Sequence, residues 1–153
     1  MGEHASDLPR AARALTLAAR ALERAAAARD FTLAQFRVLA LIAAGDERSS
    51  LLAERPAVAK PTITAVVDGL VDRSLVAREA VAGDRSSIRV ALTPAGAAAL
   101  RGAEQEMGET LGRIFEHARE RDVLLGALLD LDDALARRME ARLRGERGHE
   151  VTT

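Results

Sequence analysis

Several arginines lie in and around a short segment that combines a turn, an alternating strand and the start of a helix. Arg85 and Arg89 fall within GDRSSIRVALTPAG, residues 83–96, and Arg78 precedes it. Guanidinium groups bind phosphate and carboxylate oxygens through charged hydrogen bonds. The chemistry that these residues offer is therefore the binding of an anionic partner.

Residues for other kinds of chemistry are few. The sequence contains no cysteine, which excludes disulfides, thiolate metal ligands, a cysteine nucleophile and thiol redox sensing. His4, His117 and His149 are far apart, so no zinc site is expected. No Ser/His/Asp arrangement, carboxylate cluster or phosphate-loop pattern is visible. We therefore expect a protein that is not an enzyme and uses no cofactor.

Length and charge favour one domain spanning residues 1–153. The chain has no apolar run of about twenty residues and no leader sequence, so a cytoplasmic protein that does not enter the membrane is expected. Its formal net charge is −1, and Lys60 is its only lysine. Because non-specific affinity for nucleic acid depends on Lys and Arg, this balance argues against an indiscriminate nucleic-acid binder.

Apolar spacing and capping signals predict six helices and one hairpin. The first two helices lie within residues 7–30 and 31–45, the second opening with Thr32 and Gln35 in capping-box spacing. A short third helix begins at Ser49 or Ser50 and cannot continue past Pro56. The fourth helix carries an apolar stripe made of Ile63, Val66, Val67, Leu70 and Val71.

Two strands and two long helices follow the fourth helix. The strands are predicted at Leu75 to Glu79 and Ser87 to Leu92, with AVAGDRS as the hairpin loop. Thr93 and Pro94 form an N-cap and first-turn pair for the fifth helix. The sixth helix has an apolar stripe that includes Leu124, Leu128, Leu131 and Leu135.

The third and fourth helices with the hairpin form a winged helix-turn-helix pattern. In such an arrangement the second helix of the pair enters the DNA major groove. The hairpin loop would place Arg85 or Arg89 beside phosphates or a narrow minor groove. The pattern alone also fits winged-helix modules that bind only protein.

The stretch from Thr32 to Gly96 resembles the MarR family of transcriptional regulators. The family's wing pattern is D-x-R-x-x-x-V-x-L-T-x-x-G, and this chain matches it at Asp84, Val90, Leu92, Thr93 and Gly96. The resemblance implies a mainly α-helical fold with a small β-hairpin wing. It also implies a DNA-binding lobe over residues 32–93 and a helical dimerisation region over residues 7–30 and 94–146.

Three residues depart from the family's pattern. The wing arginine falls on Ser86, a basic residue common in the recognition helix is Ala65, and a glycine that usually follows this helix is Ser74. The first two remove DNA contacts that the resemblance implies. The third requires a serine to adopt a backbone conformation that glycine adopts more easily.

The resemblance and the cationic residues together give a set of candidate contacts to double-stranded DNA. They are Lys60, Pro61, Thr62, Thr64, Arg73, Arg78, Asp84, Arg85, Ser86, Ser87 and Arg89. For each arginine taken alone, a solvated surface position is an equally ordinary explanation. With Ser86 and Ala65 in place, we expect weaker binding to phosphates and a shallow salt dependence.

The resemblance further implies a bacterial homodimer, acting as a repressor, whose DNA affinity a small aromatic or anionic effector lowers. Dimerisation would bury the apolar stripes of the first, fifth and sixth helices, which could otherwise fold back on their own domain. Candidate effector contacts are Arg13, Phe36, Leu39 and Met107, although Phe36 and Met107 also suit a plain core. The alternative function is a ligand-binding or protein-binding protein that keeps this fold and has weak or lost sequence-specific DNA binding.

Overall fold

A computed structural model of the chain describes residues 7–45, 60–81 and 84–150. These residues form five helices and a two-stranded antiparallel sheet, which confirms the predicted fold class. In chain order the elements are α1 (Leu8–Ala27), α2 (Leu33–Ala43), α3 (Lys60–Asp72), β1 (Val76–Val81), β2 (Asp84–Leu92), α4 (Pro94–Phe115) and α5 (Arg121–Glu150). The short helix predicted before Pro56 lies outside the described residues.

Two helices begin at the predicted caps. The Thr32 hydroxyl accepts a hydrogen bond from the Gln35 N–H at 3.1 Å, and the Gln35 side chain accepts one from the Thr32 N–H at 3.0 Å. At the start of α4, Thr93 accepts a hydrogen bond from the Gly96 N–H at 3.0 Å. Both caps satisfy amides that have no partner within the helix.

The core lies where α2, α3 and the sheet meet the packed pair α1 and α4. The apolar stripe predicted for the fourth helix is confirmed in α3, which is that helix, because Ile63, Val67 and Leu70 are buried. Leu39 from α2 and Val90 from β2 are also fully buried. The core therefore fixes which face of α3 points inward and leaves the opposite face to solvent.

The hairpin is longer than predicted. β1 extends to Val81 and β2 begins at Asp84, so most of the segment AVAGDRS belongs to strands rather than to the loop. Pairing is regular from Val76 opposite Leu92 to Ala80 opposite Ile88, and it is interrupted between Ala80 and Val81. The prediction stopped where side-chain alternation stopped, whereas the ladder depends on backbone groups that every non-proline residue carries.

The stripes of α1 and α5 are not buried within the protomer. Leu8 and Leu15 of α1 are 68% and 49% exposed, and α5 forms no extended contact with the other described elements. Among the apolar residues of α5, Leu131 and Leu135 are 39% and 51% exposed. The C-terminal part of α1 does pack on its own domain, where Ala25 and Ala26 are buried, but its outer leucines and those of α5 stay uncovered in the protomer. None of the described helices has the length and apolarity needed to cross a membrane.

In the turn after α3, Ser74 stands where the family pattern has glycine, and it adopts the left-handed backbone conformation that glycine favours. Ser74 has φ = 56°, in the left-handed region. Its N–H donates to the Val71 carbonyl at 2.8 Å, and the Leu75 N–H donates to the Leu70 carbonyl at 3.0 Å. This pattern closes the helix end as a glycine would, but with a side chain in a region that favours glycine.

Ser74→Gly should raise the free energy of unfolding by about 1 kcal/mol. The left-handed conformation costs a residue with a Cβ roughly 1–2 kcal/mol, and the greater freedom of glycine in the unfolded chain offsets part of that gain. Urea denaturation followed by circular dichroism measures the change. Ser74→Ala, which keeps the Cβ, is the control and should not gain stability; an equal gain in both variants would contradict this account.

Candidate nucleic-acid interface

The outer face of α3 is the first part of the candidate interface. Lys60, Pro61 and Thr62 occupy its first turn, and Thr64 and Ala65 are exposed just after them. Residues near the N-terminus of a recognition helix are those that contact base edges. The structure therefore groups four of the predicted DNA contacts on one end of one helix.

The hairpin forms the second part. Asp84, Arg85, Ser86 and Ser87 open β2, and Arg89 follows as an exposed residue of the same strand. Arg78 lies on β1, which packs against α3. The hairpin is thus attached directly to the recognition helix, as a wing requires.

Two of the predicted DNA-binding arginines form ion pairs. Arg78 Nη2 lies 2.5 Å from Asp68 Oδ1 of α3, and Arg89 Nη2 lies 2.7 Å from Glu79 Oε2 of β1. All four side chains are between 42% and 50% exposed. Exposed pairs of this kind contribute about 0–1 kcal/mol, so a phosphate could replace either carboxylate at small cost.

The two acidic partners were not predicted from the sequence. Glu79 lies directly opposite Arg89 in the hairpin register, so a correct register would have revealed this pair. No sequence signal brings Asp68 to Arg78, because that contact depends on how β1 packs against α3. These carboxylates reduce the positive charge that the interface presents.

Arg73 lies apart from the other candidates. Its Nη1 donates to the Asp30 carbonyl at 2.7 Å, and its guanidinium lies 4.8 Å from the centroid of the Phe31 ring. Both contacts are in the turn between α1 and α2. The side chain therefore binds protein at the C-terminal end of α3, away from the first turn of that helix.

Thr93 and Gly96, two of the residues that match the family's wing pattern, have structural roles. The Thr93 hydroxyl lies 2.8 Å from the Ser74 carbonyl and 3.2 Å from the Leu75 carbonyl, and the Thr93 N–H donates to the Leu75 carbonyl at 3.1 Å. A Cβ on Gly96 would lie 1.9 Å from the same Leu75 oxygen. This cluster fastens the start of α4 to the end of α3.

The four predicted effector contacts lie in different environments. Leu39 and Met107 belong to the core, Phe36 is half-buried against it, and Arg13 is exposed on α1. None of them lines the open cleft of about 300 Å³ between α1 and α4. That cleft is lined by Ala21, Arg24, Ala25, Ala28, Glu106, Thr110 and Arg113. Across the described ranges, no group of His, Asp and Glu is arranged to hold a metal ion.

Comparison with known proteins identifies similar folds and sequences. The MarR family profile matches residues 29–85. A MarR-family transcriptional regulator from Rhodococcus sp. RHA1 is 21% identical with a TM-score of 0.73, covering 89% of this chain and 96% of that one. Wild-type apo MarR from E. coli is 25% identical with a TM-score of 0.67, covering 78% and 93%.

A ligand-bound structure is among the similar ones. CouR from Rhodococcus jostii RHA1, bound to p-coumaroyl-CoA, is 20% identical with a TM-score of 0.69, covering 89% of this chain and 96% of that one. No curated protein sequence matches the chain.

Proposed function

We propose that the chain, which belongs to the MarR family of winged helix-turn-helix proteins, is a dimeric repressor of a pseudo-palindromic operator. Proteins of this family are transcription regulators and not enzymes. The observation that carries the proposal is the two-sided character of α3. One face is buried in the core through Ile63, Val67 and Leu70, while the other exposes Thr64 and Ala65, about one turn before Asp68, which pairs with Arg78 of the hairpin. A helix held in this way can enter a major groove without losing its own packing.

In the proposed complex the two parts of the interface have different tasks. Residues 60–64 face base edges, and the hairpin arginines Arg85 and Arg89 contact phosphates or the minor groove. Arg78 and Arg89 would exchange their carboxylate partners for phosphate oxygens. Residues 32–93 would form the DNA-binding lobe, and binding to the chromosome would place the protein in the cytoplasm.

The proposed dimer is formed by α1 and α5. Both helices expose leucines that the protomer does not cover, including Leu8, Leu15, Leu131 and Leu135. Two-fold pairing would bury these stripes and would set two copies of α3 about one helical turn of DNA apart. Residues 7–30 and 94–146 would then be the dimerisation region.

An effector that lowers DNA affinity is part of the proposal. The similar protein CouR binds p-coumaroyl-CoA, an aromatic and anionic molecule, and we infer a small aromatic or anionic effector for this chain. Arg13 and Phe36 are accessible to such a molecule, whereas Leu39 and Met107 are buried and would meet it only if the helices separate. An effector would act by favouring a different spacing of the two recognition helices.

Fluorescence anisotropy tests the proposal with labelled DNA from immediately upstream of the protein's own gene, scrambled DNA as the reference, and two salt concentrations. Preferential binding at moderate salt is the expected result. Equal affinity for both DNAs even at low salt would favour the alternative, a protein of this fold that acts through ligand or protein contacts. The ion pairs of Arg78 and Arg89 are the observation that favours this alternative.

Replacing Arg85 and Arg89 together by glutamine should weaken operator binding by about tenfold or more and reduce the slope of log K against log salt by about 2. Each lost phosphate contact removes about 0.9 from that slope. The matched control is Arg101→Gln with Arg119→Gln, which makes the same charge change at exposed positions outside the interface. Unchanged affinity in the hairpin variant would remove the wing from the mechanism.

A further inference from the structure

We propose that Arg73 is a positioning residue for α3. Its contacts with the turn of residues 28–31 are the inner step of a link between α4 and the recognition helix, and the ion pair of that turn with α4 is the outer step. The proposal rests on the proposed function, because it takes α3 to be the helix that reads DNA. The link consists of Glu106 on α4, Arg29 in the turn, and Arg73 at the end of α3.

The two helix ends that the link joins are built alike. At the end of α1, Asp30 has φ = 58° and the Phe31 N–H donates to the Ala26 carbonyl at 3.0 Å. At the end of α3, Ser74 has φ = 56° and the Leu75 N–H donates to the Leu70 carbonyl at 3.0 Å. Both are closed turns with fixed backbone. A displacement of either turn therefore moves the helix to which it belongs.

Arg73 joins these two turns. Its hydrogen bond to the Asp30 carbonyl and its position over the Phe31 ring use both the edge and the face of the guanidinium. Phe31 is only 4% exposed, so the ring is fixed in the core. Arginine suits this position because its planar group can stack and donate at once, which lysine cannot do. The guanidinium is therefore engaged by the α1–α2 turn through two separate contacts.

The second step joins the same turn to α4. Arg29 Nε lies 3.5 Å from Glu106 Oε2, and the Glu106 side chain is 27% exposed. Arg29 is adjacent to Asp30, so the ion pair with α4 and the hydrogen bond with α3 act on neighbouring residues of one short turn. The α1–α2 turn is thus attached to α4 on one side and to the recognition helix on the other.

The position of Glu106 gives this link a regulatory consequence. Its side chain lines the open cleft between α1 and α4, together with Arg24, Thr110 and Arg113. A change in the spacing of α1 and α4, or in what occupies the cleft, acts first on the Glu106 and Arg29 pair. The angle of α3 relative to α4 follows through Arg73.

Three roles for Arg73 give three different results in Arg73→Gln. A phosphate contact would reduce the salt slope by about 0.9 and weaken binding to operator and scrambled DNA alike. A role in stability alone would lower the melting temperature but leave the affinity of the folded protein unchanged. Positioning predicts that operator affinity falls by about tenfold, scrambled-DNA affinity stays within about twofold, and the salt slope does not change.

Glu106→Gln tests the outer step of the link, the ion pair of Arg29 and Glu106, through the ratio of operator affinity to scrambled-DNA affinity. Removing a negative charge would by itself strengthen binding to DNA. That effect acts on operator and scrambled DNA alike and leaves their affinity ratio unchanged, whereas the link predicts a fall of about threefold or more in the operator-to-scrambled ratio. Glu104→Gln is the matched control, because Glu104 is an exposed carboxylate of the same helix. Identical affinity ratios in the two variants would overturn the proposal.

Hydrogen exchange tests the link without DNA. Arg29→Gln and Glu106→Gln should accelerate exchange of the Ser74 and Leu75 amides by about threefold or more, while Glu104→Gln leaves them unchanged. Exchange that changes only in residues 26–31 would show that the turn does not communicate with α3 and would overturn the proposal. If the wild-type protein shows no operator preference, the proposed function fails, and this exchange measurement still decides whether the link exists.

Discussion

Gly96→Ala should lower the free energy of unfolding by at least about 3 kcal/mol, or prevent the protein from folding. A Cβ at this position would lie 1.9 Å from the Leu75 carbonyl oxygen and 2.8 Å from its carbonyl carbon. Those atoms are backbone and belong to the turn that ends α3, so they cannot rotate away as a side chain could. Overpacking costs typically 1–3 kcal/mol, and an obstruction by backbone belongs at or above the upper end of that range.

Urea denaturation measures this loss, with soluble yield as a second readout. Gly108→Ala provides the control, because it makes the same chemical change in the same helix at a position with no neighbour within 4 Å. That variant should gain up to about 1 kcal/mol, since alanine is the better helix former. Wild-type stability in Gly96→Ala would show that α4 does not press against the Leu75 carbonyl in solution.

Leu131→Glu combined with Leu135→Glu should convert the proposed dimer to monomers and weaken operator binding by about 100-fold or more. Both side chains are substantially exposed in the protomer, at 39% and 51%, so the fold of each subunit should survive. A monomer contacts one half-site and loses the second set of contacts that a dimer makes without a further association step. Sedimentation velocity gives the oligomeric state, and anisotropy gives the affinity.

Arg137→Glu is the control for the α5 variant. It changes the net charge by the same amount, and it lies roughly on the opposite side of the helix from Leu131 and Leu135. This variant should remain dimeric and bind the operator with nearly wild-type affinity. A leucine variant that stays dimeric would place the subunit interface elsewhere.

Much of the fold could be predicted because its signals are local. The buried stripe of α3 follows from apolar spacing, and the caps at Thr32 and Thr93 involve residues only three positions apart. The left-handed Ser74 follows from a glycine expected at that position. The stripe and the caps can be read from residues close together along the chain, and the Ser74 conformation from the glycine that the resemblance places at that position.

The site was less predictable because its decisive contacts are not local. Arg73 and Asp30 are 43 positions apart, and nothing in either segment indicates that they meet. The wing pattern correctly singled out Thr93 and Gly96, but only the packing of α4 on Leu75 explains them. The extent of the hairpin was missed because backbone pairing continues where side-chain alternation ends.

The carboxylates beside Arg78 and Arg89 bear on how such a protein would find its site among the competing sequence of a genome. An arginine that must first leave Asp68 or Glu79 exchanges one anion for another, so it contributes little to long-range attraction. The protein therefore spends less time bound to random DNA sequence, while the contacts that form only in the complex with the operator still contribute to its binding. Where about a million or more unrelated sites compete, a low background affinity leaves more of the protein free to occupy its target.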